Sequence, residues 1–137
     1  DHYKLAGMRI IQFSFDPYNK MEDKENLLVY TGTHDNESLC DWYKKQSADY
    51  KKQTRKFMKK SKYGYKNMLD NFLYYALDRK ANLAILPMLD ILHKNDSCRL
   101  NTPGTVGNPN WQWKLKDYNE FKERIPVLKE MIEKTNR

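Results

Sequence analysis

Leu27-Leu28-Val29-Tyr30 runs without interruption into Thr31-Gly32-Thr33-His34-Asp35-Asn36. The first four residues form a continuous apolar run with no polar alternation. Such a run suits a short strand covered on both faces, as in a parallel sheet packed by helices. Directly after it come an imidazole, a carboxylate and a carboxamide, each costly to bury without hydrogen-bond partners. The local pattern leaves two readings open. These side chains are presented at the C-terminal end of a buried strand, or Asp35 or Asn36 caps the next helix.

Outward from this stretch, Met8 to Phe15 (MRIIQFSF) is rich in β-branched and aromatic residues and is bounded by Gly7 and Asp16-Pro17, so it reads as a second buried strand. The polar segment 18–26 between the two reads as a loop. After Asn36 the period changes. Glu37 to Lys45 begins a helical stretch that Ala48 to Lys60 continues, with Tyr50, Thr54, Phe57 and Met58 on one side. Gly64 interrupts it. Met68, Leu69, Phe72, Leu73 and Ala76 then recur at the spacing of an amphipathic helix. Leu83 to Leu86, stopped by Pro87, is a third short strand. Arg99 to Trp113 is a long loop, and Phe121, Ile125, Leu128 and Ile132 mark a closing helix that Pro126 is expected to break or kink. Strands alternating with helices in this way predict an α/β protein with parallel strands. Three strands do not close a barrel, and a (β/α)8 barrel needs ~250 residues, so the chain can be only part of one.

Composition narrows the function classes. Ten Tyr, five Phe and three Trp argue against a disordered chain, although a mean hydropathy of −0.96 makes its core a wet one. The formal net charge of +7 invites a nucleic-acid reading, so its distribution matters. Lys44, Lys45, Lys51, Lys52, Arg55, Lys56, Lys59, Lys60, Lys62 and Lys66 fall within one stretch whose sole acid is Asp49, and the rest of the chain is close to neutral. Such a basic helix reads as a solvated outer face, with Lys51, Lys52, Lys56, Lys59 and Lys60 exposed. Cys40 and Cys98 lack CxxC or Cys/His ligand spacing, so no metal site is expected and two free thiols are the plainer reading. No apolar run approaches the ~18 residues that span a bilayer. The first residue is Asp1 rather than Met, which suggests processing or a longer parent chain.

Residue order chooses between the two readings of the polar stretch. "YTGTHDN" (Tyr30 to Asn36) resembles the seventh-strand motif of the 4-α-glucanotransferases, members of the α-amylase clan. "GMRIIQFSF" (Gly7 to Phe15) is similar to that family's Gly-Met-Lys/Arg strand. "LAILPMLDIL" (Leu83 to Leu92) resembles its eighth strand and the turn after it. "RLNTPGT" (Arg99 to Thr105) with "NWQWKL" (Asn110 to Leu115) resembles its sugar-contacting loop. Leu89 and Lys114 depart from the family pattern, which has Gln and Arg there.

The resemblance implies that residues 1–137 are one C-terminal fragment of a catalytic (β/α)8 barrel, about its last three strands with their helices, and no second domain. It implies a retaining double displacement on α-1,4-glucans, in which a nucleophile and an acid/base carboxyl sit ~5–5.5 Å apart. In the family both precede the first matching segment, so this chain has neither and is expected to be inactive alone. The third carboxylate carries over to Asp35, which would grip hydroxyls of the −1 glucose, with His34 as a neighbouring hydroxyl donor. Asn36, Asn101, Pro103, Gly104 and Trp111 are the implied substrate-binding residues, and of Trp111 and Trp113 one is expected to stack on sugar and the other to pack inside. Arg99 is expected in a structural ion pair, while Asp90 has no assigned role. No cofactor and no metal is implied. The implied partners are maltooligosaccharides and the missing N-terminal part of the same enzyme, not nucleic acid or membrane, with self-association of the isolated fragment and a cytoplasmic location. The competing readings are a basic nucleic-acid-binding module and a glucan-binding module without turnover.

Overall fold

The computed structural model describes residues 5–19, 22 and 25–137, and within them three strands lie side by side and parallel in the order β1 (Gly7–Ile10), β2 (Leu27–Tyr30), β3 (Leu83–Ile85). Of the loop expected over 18–26, residues 20, 21, 23 and 24 lie outside the described residues. The helices are α1 (Ile11–Ser14), α2 (Leu39–Lys45), α3 (Ala48–Lys60), α4 (Met68–Leu77), α5 (Met88–Ile91) and α6 (Asn119–Thr135), with one 3-10 turn at Asp96–Cys98. This is the expected α/β arrangement with a parallel sheet.

The two faces of the sheet are unlike. Leu27 and Val29 of β2 are buried in the core with helical residues Leu39, Met58, Phe72, Leu73 and Met131. The register places Met8 and Leu83 beside Leu28, and Ile10 and Ile85 beside Tyr30, on the opposite face. That face is open among the described residues: Met8 is 63% exposed and Leu83 48%. The apolar run therefore predicts cover on both faces, and only one has it.

The first expected strand is half strand, half turn. β1 ends at Ile10, where Ser14 Oγ donates to the Ile10 carbonyl (2.8 Å) and the Phe15 N–H to that of Ile11 (2.9 Å). A strand would put Phe13 and Phe15 on one face. The helical turn instead leaves Phe13 in solvent and drives Phe15 into the core, edge-on to Tyr50, Phe57, Phe72 and Tyr75 at 5.1–6.4 Å between centroids. Aromatic pairs of this geometry contribute about 0.5–1.5 kcal/mol beyond their area.

The helical stretch after Asn36 starts at Leu39, and it is Ser38 that caps it, its Oγ accepting from the Asp41 N–H (3.1 Å). Ser47 caps α3 in the same way through Tyr50, so α2 and α3 are separate helices. α4 is buried from Leu69 to Leu77 on every side, beyond the single apolar stripe read in the sequence. It is enclosed because α5 and α6 pack on it as well as the sheet side. α6 runs through Pro126 unbroken. Pro126 is on the exposed side, where a carbonyl left without its N–H partner meets water. The buried anchor of α6 is Met131, with Val127 and Leu128 packed against the core, whereas Ile125 and Ile132 are exposed. Lys52, Lys56, Lys59 and Lys60 are exposed as expected. Lys51 is only half-exposed: its Nζ donates to the Lys44 carbonyl (2.5 Å) and lies 5.9 Å from the Tyr43 ring centre. Among the described residues no helix is long and apolar enough to cross a membrane.

Candidate active site

β2 delivers the chain at Tyr30, and the residues beyond it are held from beneath. Thr31 is fully buried, and its hydroxyl donates to Asp90 Oδ2 (2.5 Å). Asp90 Oδ1 accepts from the backbone N–H of Leu39 (2.8 Å). This carboxyl, 2% exposed, thus joins the end of β2, the start of α2 and α5. Burial pushes its pKa up, against the opposing bonds from Thr31 and Leu39. Asp90 is therefore structural. A Cβ at Gly32 would lie 2.8 Å from Gln12 Nε2, so a larger residue there would displace the side chain that donates to the Glu37 carbonyl at 2.8 Å.

Thr33 to Asn36 then form a tight turn. The Asn36 N–H donates to the Thr33 carbonyl (3.1 Å), and Asn36 Oδ1 accepts from the Thr33 N–H (2.9 Å) and hydroxyl (2.7 Å). Asn36 spends its carbonyl oxygen on shaping this turn. The turn presents His34 and Asp35 outward, and the Asp35 side chain is 48% exposed. Neither Asp35 nor Asn36 caps α2.

The second wall comes from the loop after the 3-10 turn. Asn101 Nδ2 donates to Asp35 Oδ1 at 2.6 Å, and the Asn101 N–H donates to the His34 carbonyl at 3.2 Å. His34 Nε2 lies 3.4 Å from the same Oδ1. Among the described residues Oδ2 of Asp35 takes no hydrogen bond, and Asp35 is one of the residues that line an open cleft of about 440 Å³. The cleft floor is apolar, made by Ile10, Tyr30 and Ile85 at the C-terminal ends of the three strands and by Met8 earlier in β1, with Pro87 and Leu100 beside them. Trp111, 61% exposed and at φ 62°, sets its ring 5.2 Å from that of His34. A bulky residue at positive φ is strained, and it is held by the bond from the Trp111 N–H to the Leu100 carbonyl (2.6 Å).

The remaining candidates lie apart. Pro103 and Gly104 are the central residues of the turn Thr102 to Thr105, closed by the Thr105 N–H on the Thr102 carbonyl (3.2 Å), with Gly104 at φ 78°. Proline followed by a positive-φ glycine is what that turn requires, and neither residue lines the cleft beside Asp35. Trp113 is half-buried and lines a separate cleft with Lys94 and Cys98, whereas Trp111 is exposed. Among the described residues Arg99 makes no ion pair, against expectation. Its guanidinium donates to two backbone carbonyls, those of Asp35 (Nη2, 2.7 Å) and Asn101 (Nε, 2.8 Å). Sequence reasoning missed this clamp, the Thr31–Asp90 bond and the Gln12 prop, since each joins residues whose separation along the chain carries no periodic signal. Among the described residues no group of three or more His, Cys, Asp or Glu side chains is placed to hold a metal, and both cysteines are free thiols.

A parallel sheet with polar side chains gathered just past the C-terminal ends of its strands is the α/β arrangement in which enzymes place their catalytic groups. Residues 1–120 match the family model described as 4-alpha-glucanotransferase, and the chain belongs to that family of transferases. It is 31% identical over 120 residues to the 4-alpha-glucanotransferase of Streptococcus pneumoniae, covering 82% of this chain and 23% of that protein. It is 33% identical over 121 residues to the chloroplastic/amyloplastic 4-alpha-glucanotransferase of Arabidopsis thaliana, covering 84% and 20%. Amylomaltase from Streptococcus agalactiae, solved in complex with acarbose, superposes with a TM-score of 0.83 at 28% identity, over 99% of this chain and 28% of that one. The chain thus spans about a quarter of the length of the curated relatives it matches.

Proposed function

We propose that this chain is the C-terminal part of the catalytic (β/α)8 barrel of a 4-α-glucanotransferase, comprising about its last three strands with their helices. The complete enzyme would transfer α-1,4-glucan segments between maltooligosaccharides by a retaining double displacement. The observation that carries this is Asp35 itself: a half-exposed carboxylate just beyond the central parallel strand, lining the cleft, with Oδ1 held by Asn101. In that role Oδ2 accepts from hydroxyls of the −1 glucose. Bonds to an ionised acceptor are roughly twice as strong as neutral ones, and they strengthen as the sugar distorts towards its cationic transition state. His34 supplies a hydroxyl partner, and the exposed ring of Trp111 offers a sugar face an apolar platform. Asn101 binds mainly through the Asp35 it steadies. Asn36, Pro103 and Gly104 contribute the shape of the two loops.

In this reading a nucleophilic aspartate and an acid/base glutamate would come from an N-terminal portion of the complete enzyme, beyond the roughly one quarter of its relatives' length that this chain spans. Without the first no glycosyl-enzyme forms. Without the second the leaving sugar departs as an alkoxide. The open face at Met8, Leu28 and Leu83, earlier along the strands than the cleft residues Ile10, Tyr30 and Ile85, with the edges of β1 and β3 that are unpaired among the described residues, is where the rest of such a barrel would pack. The test is incubation of the purified chain with maltotriose, with and without its N-terminal portion. Glucose and longer maltodextrins are expected only in the reconstituted mixture, and only while Asp35 is intact. Efficient disproportionation by the 137 residues alone would overturn the assignment.

A further inference from the structure

We infer that Arg99 is a positioning residue for this site, setting the Asp35 carboxylate through the backbone while touching no substrate; this rests on the reading of Asp35 given above. Two irregular loops, 33–36 and 99–101, have no ladder of their own to align them. Their alignment comes from the bonds between His34, Asp35, Arg99 and Asn101. The Asn101 N–H reaches the His34 carbonyl (3.2 Å) and Asn101 Nδ2 reaches Asp35 Oδ1 (2.6 Å). One guanidinium then spans both loops, with Nη2 on the Asp35 carbonyl (2.7 Å) and Nε on the Asn101 carbonyl (2.8 Å).

The choice of acceptors matters. A cation bonded to the Asp35 carboxylate would compete with sugar hydroxyls for the same oxygens. Arg99 holds the main chain instead, and among the described residues Oδ2 takes no hydrogen bond. Arg99 is half-buried and does not line the cleft, although its neighbour Leu100 does. The guanidinium donors are fixed in a plane, so two carbonyls bonded to one of them are held at a set separation and angle. A lysine ammonium is a single point on a flexible stem and cannot reproduce this. Catalytic groups must be held within about 0.5 Å of their working geometry, and a 1 Å misplacement can cost on the order of 100-fold.

The test is a double-mutant cycle in the complete enzyme, this chain together with the N-terminal portion of its relatives, using an α-maltosyl fluoride donor so that residual rates remain measurable. Arg99→Ala and Arg99→Lys are each expected to lower kcat between about 10- and 100-fold with little change in KM. In an Asp35→Asn background the same substitutions should lower kcat no more than about twofold, because the group they position is already disabled. Equal losses in both backgrounds would show that Arg99 acts independently of Asp35 and would overturn the inference. Full activity of Arg99→Lys would overturn it too, and that variant keeps the charge should Arg99→Ala fail to fold. Near-normal turnover of Asp35→Asn alone would instead sink the site assignment, an outcome read on a different variant.

Discussion

The Thr31 hydroxyl donates to the carboxyl of Asp90 at 2.5 Å in the interior of the protein, directly beneath the turn that carries Asp35. Fifty-nine residues separate the pair, and through Leu39 the same carboxyl also anchors the start of α2. Asp90→Ala should therefore leave a buried hydroxyl and a buried N–H without acceptors, at about 1–3 kcal/mol each. Asp90→Asn keeps an acceptor for Leu39 and can donate to the Thr31 oxygen, so it should cost far less. Burial raises the folded-state pKa of Asp90, so the folded protein binds a proton that the unfolded chain has released. Stability from this group is present below the unfolded carboxyl pKa and declines as pH rises towards the folded one. Thermal unfolding from pH 4 upwards should show that decline in wild type and its absence in Asp90→Asn.

Asp35→Asn is expected to lower kcat of the complete enzyme by orders of magnitude while the melting temperature hardly moves. The side chain is half in solvent, and a carboxamide oxygen can still accept from Asn101. Steady-state transfer from maltotriose, read beside a melting curve, separates the two effects. Near-normal turnover would remove Asp35 from the chemistry.

A second charged node lies away from the cleft. Asp70 on α4 accepts from Arg124 of α6 and from His93 Nε2 (2.9 Å), and Arg124 Nε donates to the Ile91 carbonyl (2.9 Å). Burial alone would raise the Asp70 pKa, but the bonds from His93 and Arg124 outweigh it and hold the carboxyl below its usual range. A depressed carboxyl contributes stability that is complete above the unfolded pKa, near 4, and is lost as pH falls through the folded value. Asp70→Asn should cost about 2 kcal/mol or more at pH 7, and the gap to wild type should close on acidification. A gap that stays constant between pH 7 and pH 3 would show that ionisation of Asp70 contributes nothing to stability.

Neutralising Lys52, Lys56, Lys59 and Lys60 together should leave transfer within about twofold and stability little changed, since exposed charges of this kind contribute within ~0.5 kcal/mol each. Adding Lys51→Gln should cost slightly more, through its contacts with Lys44 and Tyr43. Loss of activity in a folded five-fold variant would give the basic helix a function.

The sequence by itself determined the features that depend on neighbours along the chain. Leu27 to Tyr30 and Ala48 to Lys60 fall where their apolar pattern and flanking residues put them, and the turn at Pro103-Gly104 comes from the backbone angles those two residues permit. The polar stretch after Tyr30 also announced itself, because unpaired polar groups do not follow a buried strand without reason. The tertiary structure decided whatever depended on partners distant in sequence. β1 stops at Ile10 because Phe15 has an aromatic cage to enter, built from α3 and α4. α6 turns Met131 inward rather than Ile132 because its hold on α4 runs through Arg124 and Asp70. Asp90 and Arg99 could not be given roles from their local context, which names no acceptor or donor. Their partners are brought to them by the folded sheet and loops, and periodicity carries no information about a bond between residues 31 and 90 or 35 and 99.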